Sequence, residues 1–267
     1  MTQPDAAAYL PLDAQCFRST ALTRGPWNPE HQHGGPPVAL VCRAIEQTAA
    51  GHGLTHIARI TANLLRPVPI GDLVIGVITE YVGRNAGHFS AHLMAGDKEV
   101  ARFTALAQRE SVVELEPAPR SGPLPQPALS PDASILSRMP FDDGQPGYAQ
   151  LVETRVASGK PFAGPCSVWF RLCFPLVAGE AVSGYQRVAV AADSGNGISA
   201  ALDFSRYVFV NSDLTINLLR KPVGEFICVD ARTFIGPQGG GLAESVLYDE
   251  AGLIGRASQS LAVRTRD

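Results

Sequence analysis

Hydrophobic and polar positions alternate in two separate regions of the chain, and each region contains three such segments. The segments are 72–80, 88–94 and 100–108 in the first region, and 225–233, 241–248 and 253–264 in the second. They are rich in Val, Ile, Thr and Phe, and turn sequences such as G-R-N-A-G and D-E-A-G separate them. This pattern predicts two sets of three antiparallel strands joined by hairpins.

One apolar segment precedes each set of strands and is predicted to be a helix. The first spans residues 36–50 and has almost no polar residue before Arg43, and the second spans roughly residues 181–193. A helix that is apolar on nearly every side must be surrounded by other structure. One long curled antiparallel sheet around one helix is the hotdog fold. We therefore expect an α+β protein with two hotdogs in tandem, their sheets packed edge to edge and both helices inside.

The two regions are also copies of each other in sequence. T-A-N-L-L-R-P at 61–67 corresponds to T-I-N-L-L-R-K-P at 215–222, so that Thr61 and Thr215 are 154 positions apart. A repeat of that length is a whole domain. We expect an N-terminal hotdog over 1–110, a proline-rich linker over 111–147 and a C-terminal hotdog over 148–267. Residues 116–146 contain eight prolines and are expected to be neither sheet nor helix interior.

Composition narrows the class of protein. The chain is 45% hydrophobic and 18% charged, with a formal net charge of −3 and no basic run. These values are typical of a soluble globular protein and argue against nucleic acid or membrane insertion. Residues 1–15 lack the features of a signal peptide, so a cytoplasmic location is expected. Exposed sheet edges predict a homodimer or higher homo-oligomer.

Four motifs together resemble a known family. They are W-N-P-E-H-Q-H-G-G-P-P-V-A-L at 27–40, N-L-L-R-P at 63–67, S-D-L-T-I-N-L-L-R at 212–220 and A-S-Q-S-L-A-V-R at 257–264. Their order, spacing and duplication resemble those of the double-hotdog acyl-CoA thioesterases of the bacterial thioesterase II type. The resemblance implies an enzyme of lipid metabolism that hydrolyses acyl-CoA, or another acyl thioester, without a metal or cofactor.

The resemblance also implies the catalytic residues. In that family an Asp, a Thr and a Gln hold the water that attacks the thioester. The Asp position matches Asp193 and the Gln position matches Gln259, whereas Asn211 stands at the Thr position. Asn can bind water with a different reach, and the neighbouring Ser212 is the alternative third member.

The residues themselves support this assignment. Hydrolysis needs a positioned water and an acceptor for its proton. Asp193 can be that acceptor, and Gln259 can both donate and accept. At an offset of 154 residues, the counterparts of Asp193 and Gln259 in the first half are Ala39 and Ala105. The polar pair is therefore expected in the second half only, which predicts one active site per chain. The alternatives are that Asp193 caps a helix end and that Gln259 bonds a neighbouring strand.

The start of the first helix is the candidate binding site for the thioester carbonyl. The sequence His33-Gly34-Gly35 precedes two prolines, which have no N–H. Free N–H groups and the positive end of the helix dipole stabilise a developing oxyanion. The donors would be Gly34, Gly35 or Val38, and His33 is expected to contact substrate or support the structure. The alternative is ordinary capping geometry.

Two other functions remain as alternatives. A hotdog that binds acyl thioesters without hydrolysis is one, because Asn211 departs from the family pattern. A hotdog hydratase is the other, because W-N-P-E-H partly matches D-x-N-P-x-H, although Pro26 occupies the Asp place. The histidines form no metal-ligand pattern with Cys or carboxylates, and the chain has neither a G-x-S-x-G elbow nor a P-loop.

Overall fold

The computed structural model describes residues 6–114, 122, 124–139, 141 and 144–266 of the chain. Within this part, one large antiparallel sheet wraps around the helices. The helices are α1 (Gly35–Gly51), α2 (Tyr148–Leu151), α3 (Gly184–Ala192) and α4 (Gly195–Ile198). The strands are β1 (Tyr9–Pro11), β2 (Cys16–Ser19), β3 (His56–Leu64), β4 (Asp72–Val82), β5 (Ala86–Ala95), β6 (Lys98–Gln108), β7 (Ile135–Ser137), β8 (Val152–Gly159), β9 (Cys166–Leu172), β10 (Tyr207–Asn211), β11 (Asp213–Leu218), β12 (Phe226–Ile235), β13 (Gly240–Asp249) and β14 (Gly252–Thr265).

The two halves join through the strands that carry the repeated motif. Strands β3 and β11 pair antiparallel, and Thr61 lies directly opposite Thr215. Their hydroxyl oxygens are 3.2 Å apart. A residue that pairs with its own repeat copy lies on the two-fold axis that relates the copies. The strand order is β1-β2-β4-β5-β6-β3-β11-β14-β13-β12-β9-β8-β7, with β10 also on β14. The predicted tandem hotdog with edge-to-edge sheets is therefore confirmed.

Both predicted helices lie inside the curled sheet and contact each other. Helix α1 has proline at its first positions, where the missing N–H breaks no helical bond, and its first two turns are fully buried. Helix α3 is shorter than expected and begins after Ser183, whose side chain accepts from the N–H of Gln186. A Cβ on Gly35 would lie 2.5 Å from the carbonyl oxygen of Val190. Glycine at that position therefore lets the two helices pack closely.

All six predicted strands form, each within a few residues of its expected bounds. Burial alternates along them, for example on β6 and β12, because successive side chains point to opposite faces of a sheet. The alternation did not predict the remaining strands, which are β3 and β11 at the centre of the sheet, β8, β9 and β10, and the short strands at its ends. None of the helices in the described ranges is long and apolar enough to cross a bilayer.

The proline-rich connection differs from the prediction at one place. Residues Ile135–Ser137 form strand β7 and pair with β8, so part of the segment belongs to the sheet. These three residues contain no proline and can complete a ladder of backbone hydrogen bonds. Other parts of the predicted linker, including 115–121 and 142–143, lie outside the described residues, as do residues 1–5. The domain boundaries at 110 and 148 stay a prediction.

Candidate active site

The site begins where helix α1 starts beside the carboxylate that follows helix α3. Asp193 is only 8% exposed. A Cβ on Gly34 would lie 2.8 Å and 2.9 Å from the two carboxylate oxygens of Asp193. Gly34 has ordinary helical backbone angles (φ −66°, ψ −27°), so it is not needed for its conformational freedom. Its missing side chain is what admits the carboxylate to the positive end of α1.

Asn211 holds this carboxylate in place. It ends strand β10, and its Nδ2 donates to Oδ1 of Asp193 at 2.9 Å. Ser212, the alternative third member, is not brought to the carboxylate: its side chain is exposed, while its backbone pairs with Ser260 and Leu64. Adjacent residues of an extended strand point to opposite sides, which separates Ser212 from Asn211. The sequence assignment of Asn211 to this neighbourhood is consistent with the geometry, and that of Ser212 is not.

Gln259 binds the backbone that carries Asp193. Its Nε2 donates to the carbonyl oxygen of Asp193 at 3.1 Å, and its Oε1 accepts from the N–H of Asn196 at 2.9 Å. The side chain is 2% exposed. One amide thus fixes the short break between α3 and α4.

His33 contributes an interaction that the sequence did not predict. Its Nδ1 lies 3.1 Å from Oδ2 of Asp193 and also 3.1 Å from the backbone nitrogen of Gly35. Burial lowers the pKa of His33, against the opposing effect of Asp193, which favours a neutral ring. A single ring nitrogen can serve only one of these neighbours, and a bond to an ionised carboxylate is the stronger. With a proton on Nδ1, the N–H of Gly35 is released for a ligand.

Tyr148 fixes the plane of the His33 ring. The two rings stack with centroids 3.7 Å apart and an angle of 2° between them. The Tyr148 hydroxyl donates to the carbonyl of Val190 at 3.1 Å and lies 2.9 Å from the Ser194 hydroxyl. Burial raises the pKa of Tyr148 well above its usual value. No motif or periodicity in the sequence pointed to this residue, which directly follows the predicted linker.

The start of α1 supplies fewer free donors than the sequence suggested. The N–H of Val38 is used within the helix, where it donates to the carbonyl of Gly34 at 3.2 Å, so Val38 is excluded as an oxyanion donor. Within the described part of the chain, the N–H of Gly34 has no hydrogen-bond acceptor. The candidate donors are therefore Gly34 and, with Nδ1 of His33 protonated, Gly35.

A cavity of about 280 Å³ adjoins this cluster through Tyr148. Arg24, Pro26, Pro29 and Phe141 also line it. The lining is part polar and part apolar. Nowhere in the described ranges do three His, Cys, Asp or Glu side chains group as metal ligands.

The equivalent position in the other half corrects one expectation. Gly34 precedes Thr61 by 27 residues, whereas the matching cap, Ser183, precedes Thr215 by 32. The 154-residue offset therefore fails at the helices, and Ala39 is not the counterpart of Asp193. The carboxylate that faces the start of α3 is Glu46.

Glu46 accepts hydrogen bonds from the start of α3 itself. Its Oε2 accepts from the Ser183 hydroxyl at 2.8 Å and from the Gln186 amide at 3.3 Å. Burial raises its pKa. On the strands the offset does hold: Gln259 and Asn211 correspond in register to Ala105 and Ile57. Both replacements are buried and apolar. The two helix starts thus differ in their surroundings, although each faces a carboxylate.

Comparison with known proteins agrees with the fold. Residues 23–108 match the acyl-CoA thioesterase N-terminal domain, and residues 128–263 match the acyl-CoA thioesterase C-terminal domain. No curated protein matches the sequence significantly.

Solved structures with the same architecture span nearly the whole chain. A tesB protein of Mycobacterium avium subs paratuberculosis is 16% identical, with a TM-score of 0.68 over 96% of this chain and 95% of that one. The acyl-CoA thioesterase II TesB2 of Mycobacterium marinum is 15% identical, with a TM-score of 0.62 over 97% and 96%. A conserved protein of unknown function with a hot dog fold from Alicyclobacillus acidocaldarius is 18% identical, with a TM-score of 0.70 over 98% and 97%. At these identities the likeness concerns the fold.

Proposed function

Because the chain belongs to the acyl-CoA thioesterase family, we propose that it hydrolyses acyl-CoA with a water molecule that Asp193 activates. The observation that carries the proposal is the buried carboxylate of Asp193 against the start of α1. A carboxylate can accept a proton from water, and the N–H groups at a helix start can bind the oxygen of a thioester carbonyl.

In the proposed reaction the thioester carbonyl points at the N–H of Gly34, and at that of Gly35 when His33 binds Asp193. The oxygen of water forms a bond to the carbonyl carbon, and one proton of the water passes to Asp193. The C–S bond then breaks, and the departing thiolate takes up that proton. The positive end of α1 stabilises the negative oxygen that develops on the carbonyl.

Asn211 and Gln259 keep Asp193 in the productive position. The bond from Asn211 occupies Oδ1 and leaves Oδ2 toward His33 and the start of α1. Gln259 holds the backbone of the same residue. An amide at position 211 thus orients the carboxylate, whereas the hydroxyl of the family pattern would bind water.

The test is hydrolysis of acyl-CoAs of increasing acyl length by the full-length protein, measured as release of the free thiol. Asp193→Asn should lower kcat on the order of 10²-fold or more, the scale of a lost general base. Gln259→Ala should lower it less, and Asp97→Asn, in an exposed turn, should leave it unchanged. Full activity of folded Asp193→Asn and Gln259→Ala would place the reaction elsewhere. Binding of acyl-CoA without turnover would favour the non-catalytic alternative.

We expect one such site per chain. Ala105 and Ile57 stand where the competent half has Gln259 and Asn211, and the second helix start is already bonded to Glu46. Titration calorimetry with a non-hydrolysable acyl-CoA analogue should give one bound molecule per chain. Two equivalent molecules, or one bound beside Ala105, would contradict the asymmetry.

A further inference from the structure

Asn196, three residues after Asp193, has a buried side-chain oxygen to which no described residue donates a hydrogen bond. The residue is 8% exposed. Its N–H donates to Gln259 and its Nδ2 donates to the carbonyl of Phe209 at 3.2 Å. Its Oδ1 has no partner among the residues that the structure describes. A buried carbonyl oxygen without a donor is unfavourable, so this one indicates a polar ligand.

Asn196 lies on the same side of the helical path as Asp193. Asp193 and Ser194 both have helical backbone angles, so the path from α3 to α4 stays helical between them. Residues three apart on a helix are neighbours, with Cβ atoms about 5–6 Å apart. Asp193 and Asn196 are therefore adjacent.

Strand β10 confirms this placement. Asp193 is bonded by Asn211, and Asn196 bonds the carbonyl of Phe209, two residues earlier on the same strand. Both side chains therefore lie along one short stretch of one strand. Two acceptors of this kind can hold one water molecule between them.

We infer that Oδ1 of Asn196 accepts a hydrogen bond from one O–H of the attacking water, while the proton of the other O–H passes to Asp193. The inference rests on the proposed thioester hydrolysis. Water held by both protons keeps a lone pair for the carbonyl carbon, to which the new C–O bond forms. The proton that is hydrogen-bonded to Asn196 stays covalently bound to the water oxygen and becomes part of the carboxylic acid product. The C–S bond breaks, and the thiolate receives the proton from Asp193.

Gln259 takes a positioning role in this arrangement. Its amide bonds the carbonyl of Asp193 at one end and the N–H of Asn196 at the other. One side chain therefore sets the separation of the two acceptors. This explains why a buried, uncharged amide stands where its repeat counterpart is Ala105.

The first experiment compares Asn196→Ala with Asn217→Ala, a matched change at an exposed position of β11. With a saturating acyl-CoA, Asn196→Ala should lower kcat by about 10- to 100-fold, while KM stays within about twofold, because the water and not the substrate loses a contact. Asn217→Ala should match the wild type. A folded Asn196→Ala protein with the wild-type kcat would overturn this inference and leave the proposed hydrolysis intact. A wild-type protein that does not turn over acyl-CoA would instead refute the proposed function.

A second variant decides the matter if Asn196→Ala does not fold. Asn196→Asp keeps an acceptor and adds a negative charge near Asp193. Its plateau kcat should exceed that of Asn196→Leu, and the acidic limb of its pH–rate profile should move to higher pH, because two adjacent carboxylates resist joint ionisation. A purely structural role predicts a plateau for Asn196→Asp no higher than that for Asn196→Leu, whereas the shifted limb tests whether residue 196 lies beside Asp193. An unshifted limb, or a plateau no higher than that of Asn196→Leu, would overturn the inference.

Discussion

Replacing Gly34 with alanine tests the geometry of the site at its narrowest point. The added Cβ would lie 2.8 Å from Oδ2 of Asp193, and ordinary contact begins at 3.4 Å, so the carboxylate or the helix start must move by about 0.6 Å. Asn211 and His33 hold the carboxylate on both oxygens and limit its escape. A misplacement of 1 Å costs about 10²-fold in rate, so we expect a loss on the order of 10-fold in kcat/KM.

The same substitution at the other end of the same helix is the matched control. A Cβ on Gly51 meets nothing within 4 Å. Gly51→Ala should keep the wild-type rate and gain up to about 1 kcal/mol of stability from helix propensity. Release of free thiol from acyl-CoA measures the rate, and thermal unfolding measures the stability. A Gly34→Ala protein that is folded and as fast as Gly51→Ala would refute the argument that the site needs this contact.

Two further predictions concern stability. Burial lowers the pKa of His33, so the unfolded chain takes up a proton first as the pH falls below about 6.5, and this part of the stability is lost on acidification. The melting temperature of His33→Gln should therefore fall less than that of the wild type between about pH 7.5 and about pH 5.5. Equal decreases in melting temperature for the two proteins would contradict this prediction. Asp249 is fully buried and accepts both NH groups of Arg220, at 2.6 and 2.5 Å; Asp249→Ala should cost about 3–5 kcal/mol in urea unfolding because it leaves an unpaired charge, and a loss below about 1 kcal/mol would show that the pair is not needed.

The sequence by itself determined six of the strands, the two long helices and the duplication of the chain. The period of two in segments such as 100–108 and the nearly continuous apolar character of 36–50 are local properties, and they predicted β6 and α1 within a few residues. The repeat also matched Thr61 with Thr215, and the structure pairs these two residues across the centre of the sheet. Register on strands is exact, because each residue pairs with one other, so Ala105 was correctly identified as the counterpart of Gln259.

Only the tertiary structure decided which side chains meet at the site. The second half has five more residues than the first between its helix cap and its paired threonine, so the sequence offset could not match the two helices, and Glu46 went unnoticed. His33 and Tyr148 are far from Asp193 in sequence, and no periodic pattern records that their rings stack beside it. No motif or periodic pattern in the sequence identified Asn196 either. Periodicity shows which face of an element is buried, but contacts between distant segments depend on how closely the two helices approach each other. Here that distance depends on two glycines without side chains, Gly34 and Gly35.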